Sequence, residues 1–500
     1  MNFTWDPGGE INSNFKYLGI IFSTNTDQIV QLNYGSKLNE IQKLLRTWSK
    51  RSLTPFGKIT VIKTLAISKL TYLFSNIPDP SCDFLKQVNN LFIKYLWNDK
   101  PSKISFDTIC QSYDKGGINM VNIFDYLTCI RVNCFKRYLY DTECYNMTNE
   151  MYPKMKNVQF LGNDYLKNIC KTVKNPLLCD ILRHVSILFD KHKCHQLEDI
   201  VCERLFYNNN IIIGNKSVYY RSWVTENVTQ IIHLMKDSGQ FLSYQEFIQK
   251  FPNIQTHFLQ YNSLICSVRS YFIKMNITNI NININDIQVQ EPVCWRTVRK
   301  NKKEIKGIIC QRKQNEHVSI TKWNDRFDDL NWKNIFYKSN KTTIDTKLKW
   351  FQIRLIYRCL PTNRFLHLRK IKNDALCENC KNADESISHM FWECDYVQSF
   401  WKDLKNLFIS KLPHCSNLNF DEQFILFGCK ENTITDKPLD LFILSAKYHI
   451  YLCKFSQSIP NAHIFINQFK RRYKLEKYYN YNIENEKFQQ MWKPYEKLVS

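Results

Sequence analysis

The sequence predicts a mostly α-helical protein, and three observations carry that reading. Apolar residues recur at three- and four-residue intervals along much of the chain, the period of an amphipathic helix. Glycine (12) and proline (14) are scarce in 500 residues, which argues against a loop-rich β-sandwich. The stretch Cys377 to Cys394, CENCKNADESISHMFWEC, sets a C-x2-C pair close before an H-x4-C pair. Two such short pairs can close a tetrahedron around Zn²⁺ and leave no position for water, which makes a structural rather than a catalytic site. The expected ligands are Cys377, Cys380, His389 and Cys394. With 19 cysteines in the chain, a bare C-x2-C arises about once by accident. The further His and Cys at ligand spacing turn it into a signal.

The totals bound the rest. Five hundred residues and 60.0 kDa exceed one core, so two to four domains are expected. Hydrophobic residues (44%) and aromatics (14%) suffice for globular packing. A net charge of +23 suits a protein that grips phosphates better than one that acts on small molecules. The first twenty residues lack a basic-then-apolar signal pattern, and no run of about eighteen apolar residues suggests a membrane span. Together with cysteines read as reduced outside the metal set, this implies an intracellular protein, nuclear or cytoplasmic.

The elements follow in order. Residues 15–22, FKYLGIIF, read as a short buried strand whose glycine lets backbones approach closely, with no partner strand upstream. Leu38, Ile41, Leu44, Leu45 and Trp48 then lie on one helical face. Thr54-Pro55-Phe56-Gly57 marks a turn with Pro55 at the start of a second helix carrying Ile59, Ile62, Ala66 and Leu70. From Lys37 to Lys69 there are eight Lys or Arg and one acid, Glu40. That imbalance points to a phosphate-facing surface, against the alternative of a merely solvated face. A third helix, with Phe84, Val88, Leu91, Phe92 and Tyr95, ends at Trp97. Gly116-Gly117 is a flexible turn and not a phosphate loop, because the G-x4-G-K-[ST] frame is missing.

The segments YLGI, KLNEIQKLLRTWSKRSLTPFGKITVIKTLAISKLTYL, IPDP, FIKYLWNDKPSKI and KGGINMVNI together resemble the region after the palm in non-LTR (LINE-type) retrotransposon reverse transcriptases. The similarity spans about residues 15–140 in unbroken order. It implies that YLGI closes a polymerase palm and that Trp48, Leu53, Gly57 and Lys58 lie in thumb-like helices. A second resemblance, to the C-terminal zinc-binding segment of the same proteins, rests on the Cys/His spacing and on the helix-Pro-helix run DTKLKWFQIRLIYRCLPTNRFLHLRK that leads into it.

Residues 145–290 are less informative. Ser243-Tyr244-Gln245-Glu246 reads as a capping box, and the Asn/Ile run of 276–285 as a linker. From Arg296 to Lys313 there are again eight Lys or Arg against one acid, Glu304. Trp295, Trp323 and Trp332 flank this segment; they could stack bases, but ordinary core packing is the simpler use. Arg354 and Arg358 are expected to face outward from a helix over Lys347–Cys359. After Cys394, Val397, Phe400, Trp401, Leu404 and Phe408 form one more apolar face.

No catalytic set is read. The string Arg326-Phe327-Asp328-Asp329 lacks the spacing of a [FY]-x-D-D hairpin and lies downstream of the region where the resemblance puts polymerase carboxylates. No endonuclease-like stretch or G-x-S-x-G motif is present, and His414 beside Cys415 is only a weak metal suggestion.

The expectation is therefore a helical thumb-like domain (37–145) after a palm-end strand remnant (1–36), a less defined helical region with a linker (146–294), and a basic C-terminal domain (295–500) stapled by a zinc knot at 377–394. RNA or an RNA–DNA hybrid is the expected partner, with no membrane or small-molecule substrate. Its contacts would come from Lys43, Arg46, Lys50, Arg51, Lys58, Lys63, Arg296, Arg299, Lys300, Lys302, Lys303, Arg354 and Arg358. The chain as it stands is expected not to be an enzyme. The alternatives are one part of an active RNA-directed DNA polymerase whose palm lies upstream, and a zinc-stabilised protein-interaction module.

Overall fold

A computed structural model describes residues 14–23, 25–191, 196–277, 284–287, 292–310, 317–413, 418–430, 436–480 and 485–499. His414 and Cys415 lie outside these residues. The described chain is mostly helical, and its regular strands form two short antiparallel pairs. It divides into two compact units. One comprises residues 1–45, 64–91 and 121–311, the other residues 46–63, 92–120 and 312–500. Pieces of the 37–145 region thus fall in the same unit as the C-terminal residues.

In the first unit, FKYLGIIF is a hairpin and not one strand. Asn14–Tyr17 pairs with Ile20–Ser23, and Leu18 (φ 47°) and Gly19 (φ 86°) form the turn between them. Two successive positive φ angles give the two-residue turn whose twist matches paired strands. The glycine thus supplies a reversal, and the first strand is exposed along its whole length. Asn33, on the helix Thr26–Tyr34, accepts from the backbone N–H of Ile21 (2.9 Å) and donates to its carbonyl (2.7 Å). Its side chain occupies the free hydrogen-bonding edge of the second strand.

Further along this unit, the described residues form two hydrophobic clusters. In one, the helix Ile123–Tyr140 packs Val132 and Phe135 against Val185 and Leu188 of the helix Pro176–Lys191. Trp295 lies in the same core, its ring 5.2 Å from Phe189 and 5.8 Å from Phe135. The other core centres on Trp223, Phe247 and Tyr261. The capping box forms as read, with Ser243 and Glu246 opening the helix Tyr244–Lys250. The linker reading of 276–285 falls partly on residues 278–283, outside those described. At its end Ile284 is buried in the second core and donates to the carbonyl of Asp237 at 3.1 Å, so that residue packs rather than links.

The second unit is built on the helices Thr346–Ile356, Asp395–Lys411 and Lys437–Phe455. Phe351, Phe391 and Tyr451 share one aromatic cluster, and Phe400, Phe442 and Phe465 another. The residues of 46–63 and 92–120 join it through specific contacts. The Trp97 ring lies 5.8 Å from Trp350, and Thr54 hydrogen-bonds Thr346 at 2.9 Å. Tyr357 donates from its hydroxyl to the Gly116 carbonyl at 2.8 Å. Gly116 has φ 82°, and a Cβ there would collide with Tyr357 and Phe336, so the Gly-Gly pair is a close-approach site. No described helix is long and apolar enough to cross a membrane.

Candidate metal centre and basic surfaces

The Cys/His segment is shaped by two local devices. Residues 375–385 form a tight loop, with Cys377 donating to the Ala383 carbonyl at 2.9 Å and Glu385 to the Ala375 carbonyl at 2.8 Å. Lys381 donates back to the Cys377 carbonyl at 2.9 Å and takes a left-handed conformation (φ 58°), so the chain turns just after Cys380. The second device is a π turn over His389–Glu393, in which Cys394 donates to the His389 carbonyl at 3.2 Å. An α-helical turn superposes residues three and four apart; the wider π turn brings residues five apart onto one side. That is the H-x4-C spacing. Cys394 then opens the helix Asp395–Lys411.

The outcome is a convergent ligand set. The ligand atoms of Cys377, Cys380, His389 and Cys394 all lie within 4.8 Å of one another, and His389 Nε2 is 3.3 Å from the Cys380 sulfur. A zinc tetrahedron with Zn–S bonds of about 2.3 Å has edges of about 3.8 Å, so the donors fit with small adjustments. Three soft thiols and one imidazole match zinc rather than a hard oxygen-seeking cation. A hydrogen bond from Cys394 holds the Cys377 thiol down to about 4, assisted by the backbone N–H groups of Cys380 and Asn379, whereas the same bond and burial push Cys394 up. These donors favour the thiolate form of Cys377, the form that binds metal. A cavity of about 220 Å³ borders Cys377 and Cys394, lined also by Glu378, Glu385 and Lys454.

Residues 308–401 match a family model described as zinc-binding in reverse transcriptase. This segment is similar to reverse-transcriptase zinc-binding domains. All four Cys/His residues fall inside it, as do the lead-in helices Thr346–Ile356 and Asn363–Leu368. Residues 15–140 lie outside the matched segment.

The basic residues divide by environment. Lys43, Arg46 and Lys50 are exposed at three- and four-residue intervals on and just beyond the helix Lys37–Ser49, whose Ile41 and Leu45 are buried. Arg51 is also exposed, its guanidinium 4.6 Å from the Trp48 ring, and Lys63 is half-buried. The one acid of this stretch, Glu40, is taken up by Lys37 (2.8 Å) and Lys69 (3.5 Å). Lys58 departs from the expected set. It is buried, and its ammonium donates to the carbonyls of Tyr95 (2.8 Å) and Leu96 (3.3 Å) and to the Asn98 side chain. It caps the C-terminus of the helix Cys82–Trp97, where carbonyls lack intrahelical donors, and does not face solvent.

In the second basic segment, Arg299, Lys300 and Lys303 are exposed, whereas Arg296 is half-buried and ion-paired with Asp199. The side chain of Lys302 lies outside the described set. Arg354 and Arg358 do not project freely as expected. Both are half-buried, Arg358 4.2 Å from the centre of the Trp323 ring and Arg354 5.5 Å from that of Tyr451. Aromatic rings from distant segments cover the guanidinium faces that the helical period leaves outside. Trp323 is itself fully buried, with its indole N–H on the Ile356 carbonyl at 2.9 Å, so it serves the core. Asp328 and Asp329 follow the helix Val318–Asn324 in a turn, not between paired strands.

Proposed function

We propose that this chain is a nucleic-acid-binding part of a LINE-type retrotransposon reverse transcriptase, which holds RNA or an RNA–DNA hybrid on basic helices and carries a structural zinc. The observation behind this reading is the convergence of Cys377, Cys380, His389 and Cys394 inside a segment that matches reverse-transcriptase zinc-binding domains. A fully ligated zinc supplies cross-linking and no open coordination position. On this reading its work is to fix the loop 375–385 and the start of the helix Asp395–Lys411. Binding is assigned to the exposed Lys43, Arg46, Lys50 and Arg51, and to Arg299, Lys300 and Lys303. Lys58 is dropped from the contacts because its ammonium is satisfied internally. No chemical step is assigned to this chain's residues, and the thumb-like role of 37–145 rests on the sequence resemblance.

Metal content and RNA binding test the reading together. One zinc per chain, with RNA affinity falling steeply between 50 and 200 mM salt (on the order of 10³-fold for six neutralised phosphates), is the expected result. Absence of zinc, or a flat salt response, overturns it.

A further inference from the structure

The cluster is supported by a second fastening that contains no metal ligand. Lys454, near the end of the helix Lys437–Phe455, is largely buried, and its ammonium has three acceptors. These are the Pro361 carbonyl (3.0 Å), Asn363 Oδ1 (3.0 Å) and the Glu385 carboxylate. An ammonium has three N–H bonds, so this one is saturated. The same Glu385 oxygen accepts the backbone N–H of Asn363 at 2.9 Å. Asn363, 1% exposed, passes the connection on through its side-chain nitrogen, which donates to the Leu376 carbonyl at 2.7 Å. Leu376 directly precedes the first ligand, Cys377, and Glu385 closes the loop that holds Cys377 and Cys380.

We propose that Lys454, Glu385 and Asn363 are positioning residues for the Cys/His cluster, a polar clasp that holds the ligand loop in binding geometry before the metal arrives. The inference rests on the zinc reading above and adds how the site is organised. Zinc fingers fold only when metal binds, so binding energy is spent on ordering the chain. Here three chain segments are tied together by one charged pair and four hydrogen bonds centred on the buried Asn363 and Glu385 side chains. Such bonds resist opening because a released ammonium or carboxylate would stay buried and uncompensated. The ligands therefore meet the metal pre-arranged, and affinity depends on residues that never touch it.

The test uses the full chain and two variants, Lys454→Met and Asn363→Asp, the second of which keeps side-chain size while removing the donor to Leu376. Zinc affinity is measured by competition with a chromophoric chelator, the ligand field by Co²⁺ absorption, and the metal-free loop by hydrogen exchange at the Cys377 and Glu385 amides. Expected are protected amides in the metal-free wild type. Each variant should lose that protection and about 10- to 100-fold in zinc affinity, while the Co²⁺ spectrum keeps its three-thiolate character. Far-UV circular dichroism close to wild type separates this from global unfolding, and if Lys454→Met does not fold, Asn363→Asp decides. Unchanged affinity in a folded variant, or exchange in the metal-free wild type as fast as in an open chain, overturns the clasp. A wild type that binds no zinc would overturn the parent reading instead, while loop protection would still report on the clasp.

Discussion

The ammonium of Lys58 donates to the backbone carbonyl of Tyr95 at 2.8 Å, 37 residues away in the chain. A lysine read as part of a phosphate-facing surface thus closes a helix end. Replacing it with methionine leaves the Tyr95 and Leu96 carbonyls without their donor. We expect a loss of about 1–3 kcal/mol in unfolding free energy and no change in RNA affinity or its salt slope. Parallel urea unfolding and filter binding check this; a weakened salt slope in a folded variant would return Lys58 to the binding surface.

Lys43, Arg46 and Lys50 should behave in the opposite way. They are exposed, Lys43 and Arg46 on the helix Lys37–Ser49 and Lys50 just beyond its end. Their joint replacement by alanine is expected to reduce the slope of log affinity against log salt by about 2–3, because each phosphate left without its cation removes about 0.7–0.9 from that slope. The melting temperature should move little, because substitutions of exposed residues stay within about 0.5 kcal/mol each. An unaltered slope would place the nucleic acid elsewhere.

His233 makes the stability of the first unit depend on pH. Burial pushes its pKa down to about 4 from 6.5, helped by the neighbouring charges of Arg204 and Lys250. The folded state then binds fewer protons than the unfolded state between those values. Stability is full above pH 6.5 and declines as the pH falls towards 4, by on the order of 3 kcal/mol from this residue. A His233→Gln variant should show a shallower acid decline over that window. Chemical unfolding at pH 7, 5.5 and 4.5 would reveal identical slopes if the imidazole were irrelevant.

Asp79 anchors a buried charge in the same unit. Its carboxylate meets Arg131, which is fully buried, at 2.7 Å and His184 at 2.8 Å. Burial acts to raise its pKa, but His184 and Arg131 hold it below the ordinary carboxylate value. The stabilisation it supplies is present above the unfolded pKa and is lost as the pH falls through the lowered folded one. Asp79→Asn leaves Arg131 buried without its counter-charge, so a cost of about 3–5 kcal/mol is expected at pH 7. The gap between variant and wild type should narrow in strong acid; a constant gap would mean the charge is not its source.

Much of the architecture was readable because it is local. The period of Ile41 and Leu45, the cap at Ser243 with Glu246, and Pro55 at a helix start each depend on residues within a few positions of one another. The ligand spacing was readable for the same reason, although the π turn that makes H-x4-C convergent was not, since spacing alone does not say which helical pitch the chain adopts. The hairpin at Leu18-Gly19 was missed because one glycine in an apolar run reads equally as a close-approach site or as a turn.

By itself the sequence determined the helical class, the positive charge and the spacing of the four Cys/His residues that cluster in the fold, all of them properties of composition and short-range order. The tertiary structure decided which cations face solvent. Lys58 finds its acceptors at residues 95–98, Arg354 and Arg358 find their rings at Tyr451 and Trp323, and Lys454 reaches Glu385 across 69 residues of chain. A side chain's exposure depends on what packs over it, and those partners come from segments whose approach no local pattern encodes.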